Sequence, residues 1–260
     1  MGLQGKTVLI TRAETQMNEF AGLIKKNGGT VISFPTIQIK PPSDWDECDR
    51  ACSQIENYHG VIFTSVNSVE FFLNRYLGRQ LSIDSLKSKL VCAVGEKTRQ
   101  ALHKHEIEVA IIPDKFTSDD LAKVLTAEIV SGKRFLFPRG NLGKNTLIDH
   151  ITALGGEVHP VIVYLTQKTE RRNVEQIRQY LQKGEIDIIT FTSPSTAINF
   201  FELFPDFKVL QKNVKLAAIG PVTASAIEKI GNTVDITAKD STIESMVETI
   251  NEFYNRQTDK

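Results

Sequence analysis

The sequence predicts an α/β protein with doubly wound parallel sheets, made by tandem duplication of one ancestral unit. Two observations lead to this fold class. Short apolar runs alternate with amphipathic stretches along the chain, and small motifs recur at a nearly constant distance. Strands covered by helices on both faces are near-continuous apolar runs, and their alternation with helices is typical of parallel sheets. The 260 residues suffice for two domains of ordinary size.

Six apolar runs are predicted as strands, at residues 8–11, 61–64, 90–94, 134–137, 188–191 and 216–219. Amphipathic stretches lie between them. Residues 117–130 are predicted as one helix because its apolar side chains recur at helical spacing. The apolar stripe consists of Leu121, Val124, Leu125 and Ile129.

An internal repeat is the most informative feature. Arg12 and Arg139 each follow a predicted strand and lie 127 positions apart, and Gly28 and Gly155 keep the same offset. Each glycine ends a predicted helix, where a left-handed backbone favours glycine. Other recurring motifs are Phe63-Thr64-Ser65 with Phe191-Thr192-Ser193, and Val94-Gly95 with Ile219-Gly220. This constant spacing predicts a duplication.

The two copies need not coincide with two domains. Residues 37–40 and 163–166 occupy equivalent places in the repeats and are both predicted as extended connectors. If they form a two-stranded linker near 36–41 and 162–168, one domain comprises residues 38–167. The other then comprises residues 1–37 with 168–260. Two contiguous halves are the alternative, and a small-molecule site is expected in the cleft between the domains.

The composition bears on several classes of function. Basic and acidic residues number 31 each, so no basic field for nucleic acid or an anionic membrane is expected. No apolar run is long enough for a membrane span, and the first residues lack the apolar core of a signal peptide. A cytoplasmic protein is therefore expected. Cys48, Cys52 and Cys92 form no CxxC motif and are predicted to be reduced thiols.

Candidate binding residues follow the predicted strands. Ligands of open α/β sheets bind beyond the carboxyl ends of the strands, where helix N-termini present N–H groups to anions. The alternative is that the serines and threonines at these turns only cap their helices. The residues at these turns include Thr64, Ser65, Gly95, Thr98, Ser193, Gly220 and Thr223.

Four further side chains are candidates. Arg12 and Arg139 could each hold a substrate carboxylate, with an ion pair at the surface or at the hinge as the alternative. Tyr164 stands where the other copy has Ile37, and a phenol can act as a general acid. A packed connector tyrosine is the alternative. Lys215 begins a predicted strand, which favours an ordinary surface lysine.

Together these residues resemble the uroporphyrinogen-III synthase family. The resemblance implies two doubly wound, flavodoxin-like domains joined by a two-stranded linker. It also implies a lyase of porphyrin and heme biosynthesis that uses no cofactor and no metal. The usual Thr-Arg-Pro motif is Thr11-Arg12-Ala13 here. The matching motifs are Leu9-Ile10-Thr11-Arg12, Phe63-Thr64-Ser65, Val94-Gly95, Pro138-Arg139-Gly140, Val163-Tyr164-Leu165-Thr166, Phe191-Thr192-Ser193-Pro194-Ser195 and Ala218-Ile219-Gly220-Pro221-Val222-Thr223.

The implied reaction closes the linear tetrapyrrole hydroxymethylbilane to uroporphyrinogen III, with inversion of the last pyrrole ring and loss of water. Tyr164 matches the family tyrosine discussed as the proton donor. By the same matching, Ser65, Thr98, Ser193, Lys215 and Thr223 become binding residues for a substrate with many carboxylates. A monomer is expected, with transient contact to the preceding enzyme of the pathway left open.

Two rival functions follow from the sequence. A hinged two-domain protein could bind an anionic metabolite without catalysis. A nucleotide-dependent α/β enzyme is disfavoured because neither GxxxxGK[ST] nor GxGxxG occurs in the right context.

Overall fold

The computed structural model describes residues 2–169, 173–211 and 213–258. Strands and helices alternate through these ranges, which confirms the predicted α/β class. The strands are β1 (Thr7–Ile10), β2 (Thr30–Ser33), β3 (Ile37–Lys40), β4 (Gly60–Phe63), β5 (Leu90–Ala93), β6 (Arg134–Gly140), β7 (Glu157–Lys168), β8 (Ile188–Phe191), β9 (Lys215–Ala218) and β10 (Ile236–Thr237).

Helices connect these strands, and two short 3-10 helices cover Glu14–Gln16 and Ile55–Asn57. The α-helices are α1 (Met17–Lys26), α2 (Asp46–Ser53), α3 (Val66–Gly78), α4 (Ile83–Lys87), α5 (Glu96–His103), α6 (Ser118–Val124), α7 (Ala127–Val130), α8 (Thr146–Ala153), α9 (Val174–Lys183), α10 (Pro194–Leu203), α11 (Phe207–Leu210), α12 (Pro221–Lys229) and α13 (Ile243–Thr258). Among the described helices, none is both long and apolar enough to span a bilayer.

The chain forms two compact units, one of Met1–Ile39 with Gln167–Lys260 and one of Lys40–Thr166. It leaves the first unit within β3 and returns to it within β7. The sheet of the first unit has the order β10-β9-β8-β1-β2, and its neighbouring strands pair in parallel. The second sheet has the order β3-β7-β6-β4-β5, with parallel pairing among β7, β6, β4 and β5.

Alternate residues of each central strand pack into different cores, because successive side chains of a strand point to opposite faces. In β1, Leu9 joins one apolar cluster while Val8 and Ile10 join another. In β4, Ile62 and Phe63 likewise belong to separate clusters. Each sheet is therefore covered on both faces, which explains why its strands are apolar without alternation.

The repeat has a structural counterpart at two glycines. Gly28 follows α1 with a φ of 83°, and Gly155 follows α8 with a φ of 80°. This left-handed conformation strains residues that carry a Cβ atom, so glycine is favoured at both helix ends. The prediction for these two positions is confirmed.

The predicted helix over residues 117–130 is wrong. The chain leaves the helical conformation at Leu125, where ψ is 84°, and Thr126 is the N-cap of the separate helix α7. The break lets Leu125 and Val130 both be fully buried, while Val124 is 39% exposed. The burial of both Leu125 and Val130 therefore favours a break over one continuous helix with a single apolar stripe.

The three cysteines are consistent with the prediction that they are reduced thiols. Cys48, Cys52 and Cys92 are free and buried. Burial raises the pKa of the Cys92 thiol to about 12, because a thiolate is poorly solvated there.

Candidate functional site

In the unit of Lys40–Thr166, most of the predicted residues lie at one edge of the sheet. The neighbouring strands β4, β5 and β6 are parallel, so their carboxyl ends share that edge. Thr64 and Ser65 directly follow β4, and Gly95 follows β5. The sequence placed Arg139 after a strand, but β6 extends to Gly140 because β7 pairs with it along its whole length.

Tyr164 lies at this edge. It is paired with Gly140 across the β6–β7 ladder, and its hydroxyl oxygen is 3.3 Å from Oγ of Ser65. The ring of Phe71 lies 5.9 Å from the Tyr164 ring, centroid to centroid. The Tyr164 side chain is half-buried, so its ring is held by protein while part of it stays open to a ligand.

Ser65 interacts with both the start of a helix and the hydroxyl group of Tyr164. It is the N-cap of α3, where its Oγ accepts a hydrogen bond from the backbone N–H of Ser68 at 3.1 Å. A serine hydroxyl has one proton and two acceptor lone pairs, so Ser65 can still donate its proton to the Tyr164 oxygen. The phenol proton is then available to another acceptor. The capping alternative is confirmed for Ser65, and it is compatible with a second role.

Arg139 is a buried charge, with only 6% of its surface exposed. Its guanidinium donates to Oδ1 of Asn145 at 2.9 Å and to the carbonyl of Gly143, and its Nε has no acceptor. Within the described ranges, no carboxylate forms a salt bridge with it. Burial lowers the pKa of this guanidinium, because desolvation disfavours the charged form. A carboxylate ligand would supply the missing countercharge.

The start of α5 has no side-chain cap. Its N-cap is Gly95, which has no side chain to accept from the first N–H groups of the helix. Thr98, at the third helical position, is buried. A Cβ atom on Gly95 would lie 3.1 Å from Cβ of Phe116, so the glycine permits a close approach by that loop. The N-terminal end of the helix dipole gives this edge a partial positive charge.

The first unit repeats this arrangement at the carboxyl edge of its own sheet. Strands β1, β8 and β9 are parallel neighbours, and Arg12, Ser193 and Gly220 follow them. Ser193 caps α10 by accepting from the backbone N–H of Thr196 at 3.3 Å. Arg12 donates from Nε to Oε1 of Gln16 at 3.0 Å, and burial lowers the pKa of its guanidinium.

Gly220 is the equivalent of Gly95. It is the N-cap of α12, which also lacks a side-chain cap, and Thr223 is buried at the third helical position. A Cβ atom on Gly220 would lie 2.5 Å from Oγ of Ser241. At the carboxyl edge of each sheet, one helix is therefore capped by its own serine and another has a glycine as its N-cap.

Lys215 is separate from the other predicted residues. It begins β9, where it pairs with Ile188 at the start of β8, so it lies at the opposite edge of the sheet. Its Nζ donates to Oδ1 of Asp235 at 2.8 Å. The geometric argument from the sequence, that Lys215 is a surface lysine, agrees with this position. The position of Lys215 in the strand thus indicates a surface lysine, whereas the resemblance to the family indicates a substrate-binding residue.

Sequence reasoning missed several residues around Tyr164. Gly140 lies under its ring, Phe71 packs beside it, and Asn141 pairs with the backbone of Thr166. Phe116, which is 59% exposed, covers Gly95. A signal for Gly140 was present, because the repeat replaces Gly140 by Ala13 where it replaces Tyr164 by Ile37.

The family model described as uroporphyrinogen-III synthase HemD matches residues 18–248, which is most of the chain. The chain belongs to the uroporphyrinogen-III synthase family. A uroporphyrinogen-III synthase of Chlorobaculum parvum is 36% identical over 234 residues, covering 89% of this chain and 92% of the relative. One of Synechococcus elongatus is 29% identical over 261 residues, covering 98% of each chain.

Solved structures of uroporphyrinogen-III synthases share the fold. A mutant enzyme of Thermus thermophilus gives a TM-score of 0.68 at 18% identity, over 96% of this chain and 99% of that one. The Helicobacter pylori protein gives 0.64 at 20% identity, over 94% and 97%. At these identities the likeness concerns the fold alone.

Proposed function

We infer that this chain is a uroporphyrinogen-III synthase, a lyase of porphyrin and heme biosynthesis. It closes hydroxymethylbilane to uroporphyrinogen III with inversion of the last pyrrole ring and loss of water. The match of the family over residues 18–248 carries this inference, and the relative with 36% identity supports it. Apart from Lys215, the predicted site residues lie at or near the carboxyl ends of the parallel strands, where α/β sheets bind ligands, and this supports the inference.

Tyr164 is the proposed general acid. Its hydroxyl proton passes to the hydroxymethyl oxygen of the substrate, the carbon–oxygen bond breaks, and water leaves. The electron pair of the O–H bond stays on the phenolate, and an azafulvene-like cation is left on the substrate. Ring closure through a spiro intermediate releases one proton, which returns to the phenolate. Only water is lost overall, and Tyr164 is regenerated.

The surroundings of Tyr164 support a phenolate in this step. The Ser65 hydroxyl, 3.3 Å away, can donate to the phenolate oxygen while it accepts from Ser68. Ser65 is also the N-cap of the 13-residue helix α3, so the oxygen lies near the positive end of a helix dipole. Both groups are placed to stabilise negative charge that develops on this oxygen in the transition state.

The substrate carboxylates are proposed to bind at the strand ends of each unit. Arg139 supplies a buried cationic group and Arg12 a half-buried one. The starts of α5 and α12 supply N–H groups, with Thr98 and Thr223 beside them; Thr64 and Ser193 lie at the neighbouring turns. We leave Lys215 out of this set, because its ion pair with Asp235 lies at the other edge of the sheet.

The proposal extends to the localisation of the protein, its oligomeric state and its contact with another enzyme. We propose a cytoplasmic monomer whose two compact units are separate domains. Transient contact with the preceding enzyme would deliver an unstable substrate. Size-exclusion chromatography with light scattering, alone and with that enzyme, tests both the monomer and the contact.

The isomer of the product decides between this enzyme and a binding protein without activity. Hydroxymethylbilane is generated in situ, the chain is added, and the oxidised products are separated into types I and III. Spontaneous closure gives the uninverted type I ring. Predominant type III product is expected from the synthase. Type I alone, from folded protein, would overturn the proposal and favour the hinged binder.

A further inference from the structure

We infer that Gly140 is a positioning residue for Tyr164, and that a bulge in β7 works with it to place the phenol. The inference rests on the proposed function of Tyr164 and extends it to residues with no reactive group. Gly140 has no side chain to touch a substrate. It acts by leaving space for the tyrosine ring.

The bulge is visible in the register of the β6–β7 ladder. Arg139 is paired with Ile162, whereas Gly140 is paired with Tyr164, so Val163 is an extra residue in β7. Val163 is buried in the same apolar cluster against which Tyr164 packs, although the two are consecutive. Consecutive residues of a regular strand point to opposite faces, and a bulge can redirect a side chain. The extra residue therefore turns Tyr164 towards Ser65.

Gly140 provides the space that this direction needs. A Cβ atom there would lie 2.5 Å from Cε2 and Cζ of Tyr164 and 2.8 Å from its hydroxyl oxygen. Such distances are far inside van der Waals contact, so any larger residue must displace the ring or the strand. Gly140 is not among the glycines with positive φ, so space rather than backbone conformation requires it.

The other copy of the repeat has neither the glycine nor the phenol. At an offset of 127, Gly140 corresponds to Ala13 and Tyr164 corresponds to Ile37. Ala13 and Ile37 are both buried in their own unit. The copy with an aliphatic side chain in place of the ring at the second position has a methyl group at the first. The two positions have thus changed together.

Hydrogen bonds from and to Asn141 hold the strand at Tyr164 and just after it. The backbone N–H of Asn141 donates to the Tyr164 carbonyl at 3.3 Å. Oδ1 of Asn141 accepts from the Thr166 N–H at 2.8 Å, and its Nδ2 donates to the Thr166 carbonyl at 3.4 Å. Because the backbone is held here, a methyl group on Gly140 is expected to move the ring rather than the strand.

The test is Gly140→Ala, with Gly78→Ala as the matched control. Gly78 lies in the same unit, and a Cβ atom there meets nothing within 4 Å. We expect Gly140→Ala to lower kcat at least tenfold, with Gly78→Ala within twofold of the wild type. A kcat within twofold of the wild type for Gly140→Ala would overturn the inference.

The same substitution in a Tyr164→Phe background separates positioning from general damage. If Gly140 acts through the phenol, Gly140→Ala/Tyr164→Phe has the kcat of Tyr164→Phe within twofold. A further tenfold loss in the double variant would contradict an action through the phenol. The thermal melting temperature is compared in parallel. Gly140→Ala/Tyr164→Ile, the pair found in the other copy, should recover most of the melting temperature lost in Gly140→Ala, but no activity.

A spectroscopic readout keeps the inference independent of the reaction. The protein is labelled with 3-fluorotyrosine, and the ¹⁹F resonance of Tyr164 is assigned by its loss in Tyr164→Phe. Gly140→Ala should shift this resonance, while Gly78→Ala should leave it in place. An unmoved resonance in folded Gly140→Ala would refute the positioning role. If the chain without substitutions makes no type III product, the proposed function is rejected. A shifted resonance in Gly140→Ala would then still support the positioning role.

Discussion

The hydroxyl oxygens of Ser65 and Tyr164 lie 3.3 Å apart, and the serine is also the N-cap of α3. One side chain therefore links the start of a helix to the only residue of the proposed site that we assign as a proton donor. Because Ser65 keeps a proton to donate after it accepts from Ser68, the phenol keeps its own proton for the substrate.

Tyr164→Phe should lower turnover at least tenfold. General acid catalysis commonly contributes a factor of about 10²–10⁴, and phenylalanine preserves the ring packing against Phe71. Turnover is measured as type III product per unit time, with circular dichroism to check the fold. Tyr180→Phe is the control. It removes a phenol hydroxyl in the other unit, where the hydroxyl accepts a hydrogen bond from Gln176 on the same helix. Equal turnover in Tyr164→Phe and wild type would remove Tyr164 from the mechanism.

Thr223→Ala should lower kcat/KM by a factor of about five or more. This corresponds to roughly 1 kcal/mol, the scale of one lost hydrogen bond. Thr223 is buried at the third position of α12, directly behind the uncapped N-terminus. Ser225→Ala, two residues further along the helix, is the control. If both variants keep the wild-type kcat/KM, Thr223 has no part in handling the substrate.

Asp49→Asn should remove a pH-dependent part of the stability. The Asp49 carboxylate accepts from Nε and Nη2 of Arg75 at 2.7 and 2.6 Å and from Nη1 of Arg79 at 2.7 Å. The hydrogen bonds from Arg75 are the main cause of a lowered pKa for Asp49 in the folded state. Stability from a lowered carboxyl pKa is present above the unfolded pKa, about 4, and is lost as pH falls through the folded pKa.

The expected loss in the free energy of unfolding is about 1 kcal/mol near pH 7, the upper range for exposed ion pairs. The difference between wild type and Asp49→Asn should shrink as the pH falls below about 4. Urea unfolding across this pH range measures it, with the exposed Asp114→Asn as control. A difference that is constant with pH would show that the ion pairs contribute nothing through the carboxylate charge.

The strands of the fold could be predicted from the sequence because a strand that is buried on both faces is a continuous apolar run. The run of Val8, Leu9 and Ile10 is apolar because its alternate residues enter different cores. The helix ends at Gly28 and Gly155 were predictable because a left-handed residue restricts the amino acid. Each of these features depends on a few neighbouring residues.

The local irregularities could not be predicted in the same way. The break at Leu125 arises because Leu125 and Val130 must both be buried, which depends on the packing around them. The bulge at Val163 depends on the register between two strands, and no local pattern marks it. Lys215 shows a related limit, because its family matching and its place at the start of β9 point to different roles.

The candidate site was predictable as a set of strand ends, but its contacts were not. Ser65 and Tyr164 are 99 positions apart, and only the tertiary fold brings their hydroxyl groups together. The importance of Gly140 follows from the ring that lies over it. The internal repeat was the one sequence signal that connected these positions, since Ala13 and Ile37 replace Gly140 and Tyr164 as a pair.

The most direct test of the account is the yield of type III isomer as the chain is diluted. Hydroxymethylbilane is produced at a fixed rate, and the chain is added at molar amounts well below the total substrate. We expect type III product to exceed the amount of chain many-fold, because a catalyst turns over. Type III product that never exceeds the amount of chain, or type I product alone, would contradict the account.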